Sequence, residues 1–264
     1  MVYAESQPPT WVFGRSQDGN LVLTAGSVDV VLLTKNSQRI LTKCVESIYA
    51  NVPVAHLIVV DGGSTDQTLS LLNEFQKKYH NLKLIFDNGT RATARQKGIE
   101  HVTTDWFMFV DSDVVLCRDW YKKAQKNLQP DVGAVWGIEV WSTINDPKIL
   151  RLFLIITRKI FEVRGGTHDT LIRTHAVKDI KIPSNLHMFE DAYIKDWISH
   201  KGHRVVACYS PFCLHYRPTS VWTLRGSLGL IAEAFEFGNF RLISQLFLAY
   251  GFYTLYSVYQ LLSR

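Results

Sequence analysis

Residues 28–61, VDVVLLTKNSQRILTKCVESIYANVPVAHLIVVD, decide the fold class of this chain. The stretch opens with a short β-branched apolar run and continues with apolar residues at helical spacing up to Pro53. It then resumes with a second apolar run that ends at Asp61. Short apolar runs of this kind are typical of strands buried on both faces, and proline ends a helix. The stretch therefore predicts a strand–helix–strand unit.

The same alternation continues toward the C-terminus. Gly62 and Gly63 end the second strand, and we expect Ser64 to cap a helix over residues 65–79. Next come a strand at LKLIFD (82–87), a helix at RATARQKGIEHV (91–102) and a strand at DWFMFVD (105–111). Such alternation implies right-handed crossovers. It predicts one α/β, Rossmann-like domain with a mostly parallel central sheet covered by helices on both faces.

Beyond residue 119 the alternation loosens. VGAVWGIEVW (132–141) predicts one long strand or a strand pair, and ILRLFLIITRKIF (149–161) predicts an apolar helix with basic residues set into it. Two interpretations of this helix remain open. It lies on anionic lipid, or it packs on the core with its arginine side chains reaching back to water.

Composition limits the possible classes of protein. Of the 264 residues, 47% are hydrophobic and 20% charged, which excludes a disordered chain and a multi-span transporter. A net charge of +5 suits phosphate-rich partners such as nucleotides and anionic lipid, although ordinary solubility also explains it. The four cysteines form no C-x-x-C pair, so we expect free, buried thiols in a reducing compartment.

FMFVDSDVV (107–115) carries two carboxylates, Asp111 and Asp113, at the end of a predicted strand. Ligands of parallel α/β sheets bind beyond the carboxyl ends of the strands, where Asp61 also lies. Two such carboxylates can hold Mg²⁺ or Mn²⁺, and the cation would neutralise a diphosphate leaving group. Acidic pairs of this kind also cap strands and turns. The motifs around the pair therefore decide whether a metal-binding role is indicated.

Those motifs occur in a definite order over residues 28–217. They are TKNS (34–37), VVDGGSTDQT (59–68), GTRATARQKG (89–98), the DSD triplet, RGGTHDT (164–170), FEDAYI (189–194) and HYRP (215–218). The ordered set resembles the family 2 glycosyltransferases, the group that includes dolichyl-phosphate mannose synthase and cellulose synthase. The resemblance implies a single GT-A domain, a UDP- or GDP-linked sugar donor, and inversion at the anomeric carbon.

The resemblance also implies roles for individual residues. Asp113 would bind the metal, while Asp111 would contact the ribose or sugar side and join the metal shell. His215 would complete that shell, although a lone histidine is also often a structural hydrogen-bonding residue. Thr34, Asn36 and Asp61 would line the nucleoside pocket, and Arg95 would reach the donor. The other substrate-binding positions would be Arg91, Asp111, Gly165, Gly166 and Arg217.

The pair Glu190 and Asp191 would supply the general base, with Asp191 in that role. An acceptor hydroxyl needs a carboxylate to take its proton, whereas an ionised phosphate does not. The pair therefore favours a hydroxyl of a lipid-linked or glycan acceptor, and transfer to a polyprenyl phosphate is the alternative. Stabilisation of a helix N-terminus explains the same two residues without catalysis.

The resemblance has one departure. VWTLRGSLGL (221–230) lacks the Q-x-x-R-W element of processive members, so we expect one sugar per event. The resemblance to membrane-linked mannosyl transfer favours mannose from GDP-mannose over glucose from UDP-glucose. We expect no nucleic-acid partner.

Three rival functions fit the residues less well. A haloacid-dehalogenase-like phosphatase matches D-x-D-x-V literally, but that motif normally opens its domain. A nucleotidyltransferase usually has a glycine-rich loop after its first strand, and LLTKNSQR has no glycine. A non-catalytic binding module does not explain the full set of acidic positions.

The expected organisation is an N-terminal extension (1–27), a GT-A catalytic domain (28–220) and a C-terminal amphipathic or transmembrane helical region (221–264). The N-terminus has no signal-peptide pattern. Residues 242–262 carry no charge and have bilayer-spanning length, while four tyrosines favour the lipid–water interface. A spanning helix, an interfacial helix and a core helix remain open. We expect a membrane-associated enzyme whose catalytic domain is on the cytoplasmic face.

Overall fold

The computed structural model describes residues 26–216, the strands β1 (Val12–Arg15) and β2 (Leu21–Thr24), and seven isolated positions between 232 and 255. β1 and β2 pair with each other as an antiparallel ribbon within the predicted N-terminal extension.

The first half of the domain alternates strand and helix as predicted. In chain order it contains β3 (Val28–Thr34), α1 (Leu41–Asn51), β4 (Val54–Asp61), α2 (Thr68–Tyr79), β5 (Leu82–Phe86), α3 (Arg91–Glu100) and β6 (Trp106–Asp111). The helix α1 ends two residues before Pro53, in agreement with the sequence.

The predicted cap of α2 is wrong. The helix begins at Thr68 rather than at residue 65, and the amide and hydroxyl of Ser64 both donate to Asp61. Asp66 instead accepts a hydrogen bond from the Thr68 amide, 2.9 Å away. The serine therefore stabilises the turn after β4 and not the start of the helix.

The second half contains β7 (Val114–Leu116), α4 (Trp120–Gln125), β8 (Val132–Trp141), α5 (Pro147–Arg164), β9 (Asp169–Arg173), α6 (Thr174–Val177), α7 (Glu190–His200) and β10 (Arg204–His215). VGAVWGIEVW forms one long strand, and the apolar helix predicted at residues 149–161 lies within α5.

The eight-stranded sheet is mixed rather than mostly parallel. Its order is β5-β4-β3-β6-β9-β8-β10-β7. The first four strands run parallel, whereas β9 is antiparallel to both of its neighbours and β7 is antiparallel to β10. Apolar runs reveal that a strand is buried but not its direction. The expectation of a mostly parallel sheet therefore holds for the first half and fails for the second.

Both faces of the sheet are covered. Val30 and Leu32 of β3 face one apolar cluster and Val31 faces another, as the alternation of side chains along a strand requires. Helix α3 lies so close to β3 that a Cβ on Gly98 would be 2.3 Å from Val31 Cγ1. A glycine is therefore needed there, and the close contact holds Arg95 of α3 near the carboxyl end of the sheet.

All four cysteines, Cys44, Cys117, Cys208 and Cys213, are buried and free, which confirms the predicted thiols. The predicted C-terminal membrane helices are not supported. Within the part of the chain that the structure describes, every helix is too short or too polar to cross a bilayer. Residues 242–262 lie outside the described residues except at Ser244, Phe247 and Leu255.

Candidate active site

The carboxyl ends of three adjacent parallel strands form the floor of the site. Thr34 of β3 pairs with Asp61 of β4, and Leu33 of β3 pairs with Asp111 of β6. Asp61 and Asp111 thus flank β3 at one edge of the sheet, as the sequence predicts.

Asp61 is buried and stabilises the turn that follows it. Its carboxylate accepts hydrogen bonds from the Thr34 hydroxyl (2.8 Å), from the Gly63 amide (3.0 Å) and from the amide and hydroxyl of Ser64 (2.8 and 2.6 Å). The predicted role of Thr34 and Asp61 in a nucleoside pocket stays a prediction. Such a pocket would be bordered by this turn.

Asn36 connects the loops that follow β3 and β4. Its backbone has a φ of +50°, a conformation that asparagine tolerates better than most residues. The Asn36 amide donates to Ser64 Oγ at 2.9 Å, and its side-chain oxygen accepts from the Thr65 amide at 2.8 Å. The next residue, Ser37, has its hydroxyl oxygen 2.7 Å from that of Ser112. Three of the predicted motifs therefore share one surface.

Arg95 joins the DSD triplet to the Glu190–Asp191 pair. Its side chain is 2% exposed, with Nη2 2.8 Å from Asp111 Oδ1 and Nε 3.3 Å from Glu190 Oε1. The guanidinium also lies 4.8 Å from the centre of the Phe109 ring. Among the described residues, Arg95 Nη1 and Glu190 Oε2 are buried without a hydrogen-bond partner. The predicted donor contact of Arg95 stays a prediction, since these carboxylates engage its guanidinium here.

Arg95 and burial have opposite effects on its two acidic partners. Burial by itself would raise the pKa of Asp111, but the Arg95 charge outweighs it and the pKa falls below its usual range. For Glu190, burial raises the pKa, Arg95 opposes the shift and the neighbouring Asp191 adds to it, so the pKa is raised. Asp111 is therefore held as an anion, while Glu190 is a weaker acid in a buried pair.

Glu190 and Asp191 open α7 but differ in access. Glu190 is 3% exposed against Arg95, whereas Asp191 is half-buried and accepts a hydrogen bond from the Ala192 amide of its own helix at 2.7 Å. Of these two carboxylates, only that of Asp191 is accessible enough to contact a bound substrate.

Asp113, His215 and Glu139 form what we call the open cluster. His215 Nε2 lies 3.1 Å from Asp113 Oδ2, and His215 Nδ1 lies 2.6 Å from Glu139 Oε2. The Asp113 side chain is 39% exposed, while His215 and Glu139 are buried. A backbone hydrogen bond brings the two side chains together, because the amide of Tyr216, the residue after His215, donates to the Asp113 carbonyl at 2.8 Å.

The open cluster fits a divalent cation. Two neighbouring ligands of an octahedral ion with bonds of about 2.1 Å lie about 3 Å apart. That value matches the spacing of Asp113 Oδ2 and His215 Nε2. A carboxylate on the other ring nitrogen is the usual support of a metal-binding histidine, and Glu139 has that position.

Sequence reasoning missed Glu139. A signal existed, because Glu139 is the one charged residue in the apolar stretch VGAVWGIEVW. A buried charge inside a strand needs a partner, which makes it a candidate functional residue. Its partner, His215, lies on a strand whose direction and neighbours the sequence does not reveal.

A second group, which we call the sealed cluster, contains His168, Asp169 and Cys213. His168 Nδ1 lies 2.5 Å from Asp169 Oδ1 and 3.6 Å from Cys213 Sγ. Three ligand atoms of the cluster lie within 4.8 Å of one another, and all three residues are buried. Trp120 donates its indole N–H to Asp169 Oδ2 at 2.7 Å.

The remaining predicted residues surround these groups. Gly165, with a φ of +83°, and Gly166 precede His168, whose carbonyl accepts from the Asp111 amide. Arg91 is exposed at the first turn of α3, and its charge helps to lower the pKa of Asp111. Arg217 lies outside the described residues.

Comparison with known families gives a match over the strands that form the floor of the site. The family described as "Glycosyl transferase family 2" matches residues 29–176, more than half of the chain. The chain belongs to glycosyl transferase family 2. The family match contains Asp61, Arg95, Asp111 and Asp113, and the later elements of this family 2 chain add Glu190, Asp191 and His215 to the same site.

Curated relatives of this family 2 chain match it over short stretches. A poly(ribitol-phosphate) beta-glucosyltransferase of Bacillus spizizenii is 28% identical over 123 residues, covering 42% of this chain and 19% of the relative. A teichoic acid poly(glycerol phosphate) polymerase of Staphylococcus epidermidis is 36% identical over 88 residues, covering 32% and 12%. The chain thus spans less than a fifth of the length of these relatives.

Solved structures confirm the GT-A fold. The mannosyltransferase PcManGT from Pyrobaculum calidifontis, in complex with GDP-Man and Mn²⁺, aligns with a TM-score of 0.66 at 18% identity, covering 90% of this chain and 72% of its own. TarS of S. aureus in complex with UDP-GlcNAc aligns with a TM-score of 0.59 at 18% identity, covering 83% and 69%.

Proposed function

We propose that this family 2 chain transfers one hexose, with inversion, from a nucleotide sugar to an acceptor hydroxyl with the help of Mg²⁺ or Mn²⁺. One observation carries the proposal. Arg95 ties Asp111 to Glu190, the neighbour of Asp191 on α7, at the same sheet edge where Asp113 contacts His215. The site therefore combines a cation position with an accessible carboxylate.

Asp113 and His215 would hold the cation, and Glu139 would orient His215. When bound, the cation supplies positive charge to the diphosphate as it leaves. Arg95 keeps Asp111 ionised and fixed at the edge of this position. Holding these groups in advance is favourable because no reorganisation is needed during the reaction.

Asp191 would act as the general base. The acceptor oxygen forms a bond to the anomeric carbon while the bond from that carbon to the diphosphate oxygen breaks, and the hydroxyl proton passes to Asp191. Glu190 does not suit this role, because its carboxylate is buried against Arg95. Its pairing with Arg95 instead anchors the first turn of α7.

GDP-mannose is the donor that we favour, with UDP-linked sugars as the alternative. Support comes from the GDP-Man and Mn²⁺ named with PcManGT and the UDP-GlcNAc named with TarS. A thermal-shift panel of these donors with and without Mn²⁺ tests the choice, because a ligand stabilises the fold by mass action. Stabilisation by no nucleotide sugar would contradict the proposed function.

Replacing Asp191 by asparagine tests the base. We expect Asp191→Asn to lower transfer by roughly 10²- to 10⁴-fold while donor affinity stays unchanged, because only the proton acceptor is lost. Product formation and donor calorimetry measure the two effects. Asp196→Asn on the same helix is the matched control, since Asp196 pairs with Lys195 rather than with Arg95.

Normal transfer by Asp191→Asn to a hydroxyl acceptor would refute the base assignment. The same variant separates the two acceptor classes. If it transfers normally to a polyprenyl phosphate and to no hydroxyl acceptor, the polyprenyl-phosphate alternative is correct, because an ionised phosphate needs no base.

A membrane-surface location on the cytoplasmic side completes the proposal. The exposed face of α5 carries Lys148, Arg151 and Arg158 beside Leu152 and Ile155, which are 49% and 51% exposed. Basic and apolar side chains on one helix face suit an anionic lipid surface. Co-sedimentation with anionic vesicles, compared with neutral ones, tests the location, and equal absence from both pellets would count against it.

A further inference from the structure

A carboxylate from the C-terminal region, that of Glu233, binds the turn that precedes α7. Glu233 Oε1 accepts a hydrogen bond from the His187 amide at 3.0 Å, and Oε2 accepts from the amides of Met188 (2.9 Å) and Phe189 (3.0 Å). Three consecutive N–H groups therefore converge on one charged side chain that lies more than forty residues away in the sequence.

These bonds satisfy backbone amides of the turn that leads into a helix. The first N–H groups of a helix have no partner within it, and a side chain of the preceding residue usually caps them. Phe189 precedes α7 and makes no such cap. Glu233 binds the amides just ahead of the helix, and a negative charge at a helix N-terminus is favourable.

The turn that Glu233 binds leads directly into the catalytic pair. Phe189 is buried in the core, and the next two residues are Glu190, which pairs with Arg95, and Asp191. The direction of the first turn of α7 thus depends on two anchors. Arg95 holds it from the sheet side, and Glu233 holds it from the C-terminal region.

We propose that Glu233 is a positioning residue for Asp191. Its carboxylate fixes the turn at residues 187–189 and so aims the base at the acceptor, an inference that rests on the proposed function. Glu233 lies beyond the residues that match the family, so the proposal gives a residue of the C-terminal region a part in the transfer step.

The kinetic test uses Glu233→Gln and Glu233→Ala in the full chain. Glutamine keeps one acceptor oxygen and replaces the other by a donor, so it loses part of the three-bond contact. We expect transfer kcat to fall by about 10- to 100-fold, more for alanine than for glutamine, because a small misplacement of a reacting group slows the reaction strongly. The donor KM and the dissociation constant for donor should stay within about twofold. Glu236→Gln, an exposed neighbour, is the matched control and should leave kcat unchanged.

Amide hydrogen exchange provides a readout that does not need activity. In Glu233→Gln, peptides covering residues 186–192 should exchange at least about tenfold faster, because charge-assisted hydrogen bonds are lost, while α1 should exchange as in the wild type. If the wild-type chain transfers no sugar, the proposed function fails, and the exchange result still tests the Glu233 contact.

Three results would overturn the proposal. The first is unchanged exchange at residues 186–192, and the second is faster exchange there with unchanged kcat. The third is a loss of kcat that is matched by an equal loss of donor affinity and by faster exchange in α1, since general destabilisation would then explain the effect.

Discussion

The open and sealed clusters contain similar residues and differ in access. Their histidine rings, of His215 and His168, lie 6.3 Å apart, and each histidine contacts an aspartate. In the open cluster that aspartate is 39% exposed, whereas in the sealed cluster Asp169 is fully buried. A histidine beside a carboxylate suits an exchangeable cation only where solvent and substrate reach the carboxylate. The sealed cluster instead suits a structural role.

Electrostatics gives the physical reason for that role. Burial alone would lower the pKa of His168, but the adjacent Asp169 carboxylate outweighs it and raises the pKa. The indole of Trp120 stabilises the other oxygen of Asp169. A Cβ on Gly137 would lie 2.1 Å from that oxygen, so the strand β8 needs a glycine there. The two side chains oppose each other's charge within the core, and removing one of them leaves an uncompensated charge.

The largest expected effect concerns the open cluster. Asp113→Asn should lower metal-dependent transfer on the order of a thousandfold, because the proposed cation loses its exposed anionic ligand. Transfer measured against Mn²⁺ concentration checks this. Asp119→Asn is the control, since Asp119 is a half-buried aspartate that pairs with Arg118 and Lys122 instead of with a histidine. A wild-type Mn²⁺ titration in Asp113→Asn would remove the open cluster from the mechanism.

The second-largest effect is expected in the sealed cluster, where a substitution should lower the stability of the fold. Asp169→Asn should lower the free energy of unfolding by about 3 kcal/mol, because His168 loses its buried partner charge. Urea unfolding measures this change. The folded variant should keep the wild-type Mn²⁺ dependence of transfer. A shifted Mn²⁺ dependence at unchanged stability would reverse the roles of the two clusters.

A smaller effect is expected at Glu139, which contacts Nδ1 of His215, whereas Asp113 contacts Nε2. Glu139→Gln should weaken the apparent Mn²⁺ affinity by roughly 10- to 100-fold and leave saturated transfer closer to wild type, because the histidine loses its orienting carboxylate. Glu100→Gln, an exposed substitution on α3, serves as the control. Equal Mn²⁺ affinity in both variants would mean that Glu139 is only a core residue.

The smallest effect concerns the thiols, including Cys213 of the sealed cluster. Burial raises the pKa of Cys44, Cys208 and Cys213, that of Cys208 to about 11, and only thiolates alkylate. At neutral pH we expect iodoacetamide to modify none of the four cysteines in the native protein and all four in urea, as measured by mass spectrometry. Rapid native alkylation of Cys213 would show that the cluster is not sealed.

The raised pKa of Cys208 also has a consequence for stability. Because the pKa of Cys208 in the folded protein lies above the ordinary value of 9.0, the buried thiol contributes fully to the free energy of unfolding below about pH 9. This stabilisation is lost as the pH rises from 9 through 11, because the unfolded chain releases the thiol proton first. Urea unfolding at pH 8 and pH 10.5, compared between the wild type and Cys208→Ala, measures it.

Much of the first half of the domain could be predicted from local sequence. The strands β3, β4, β5 and β6 and the helices between them follow from apolar runs, helical spacing and Pro53, because these signals act within a few residues. The placement of Asp61 and Asp111 at strand ends follows for the same reason. The predicted cap of α2 was wrong because Ser64 donates to Asp61 instead. This hydrogen bond depends on the geometry of the turn, which the local sequence does not reveal.

The amino-acid sequence by itself determined the α/β alternation, the family and the motifs that carry acidic residues. The tertiary structure alone decided that β9 runs antiparallel between β6 and β8, that Arg95 joins Asp111 to Glu190, and that His215 lies between Asp113 and Glu139. A hydrophobic pattern predicts that a strand is buried, but it predicts neither the direction of the strand nor which strands pair with it. Contacts between residues far apart in the chain depend on strand order and register, which arise only when the whole sheet forms.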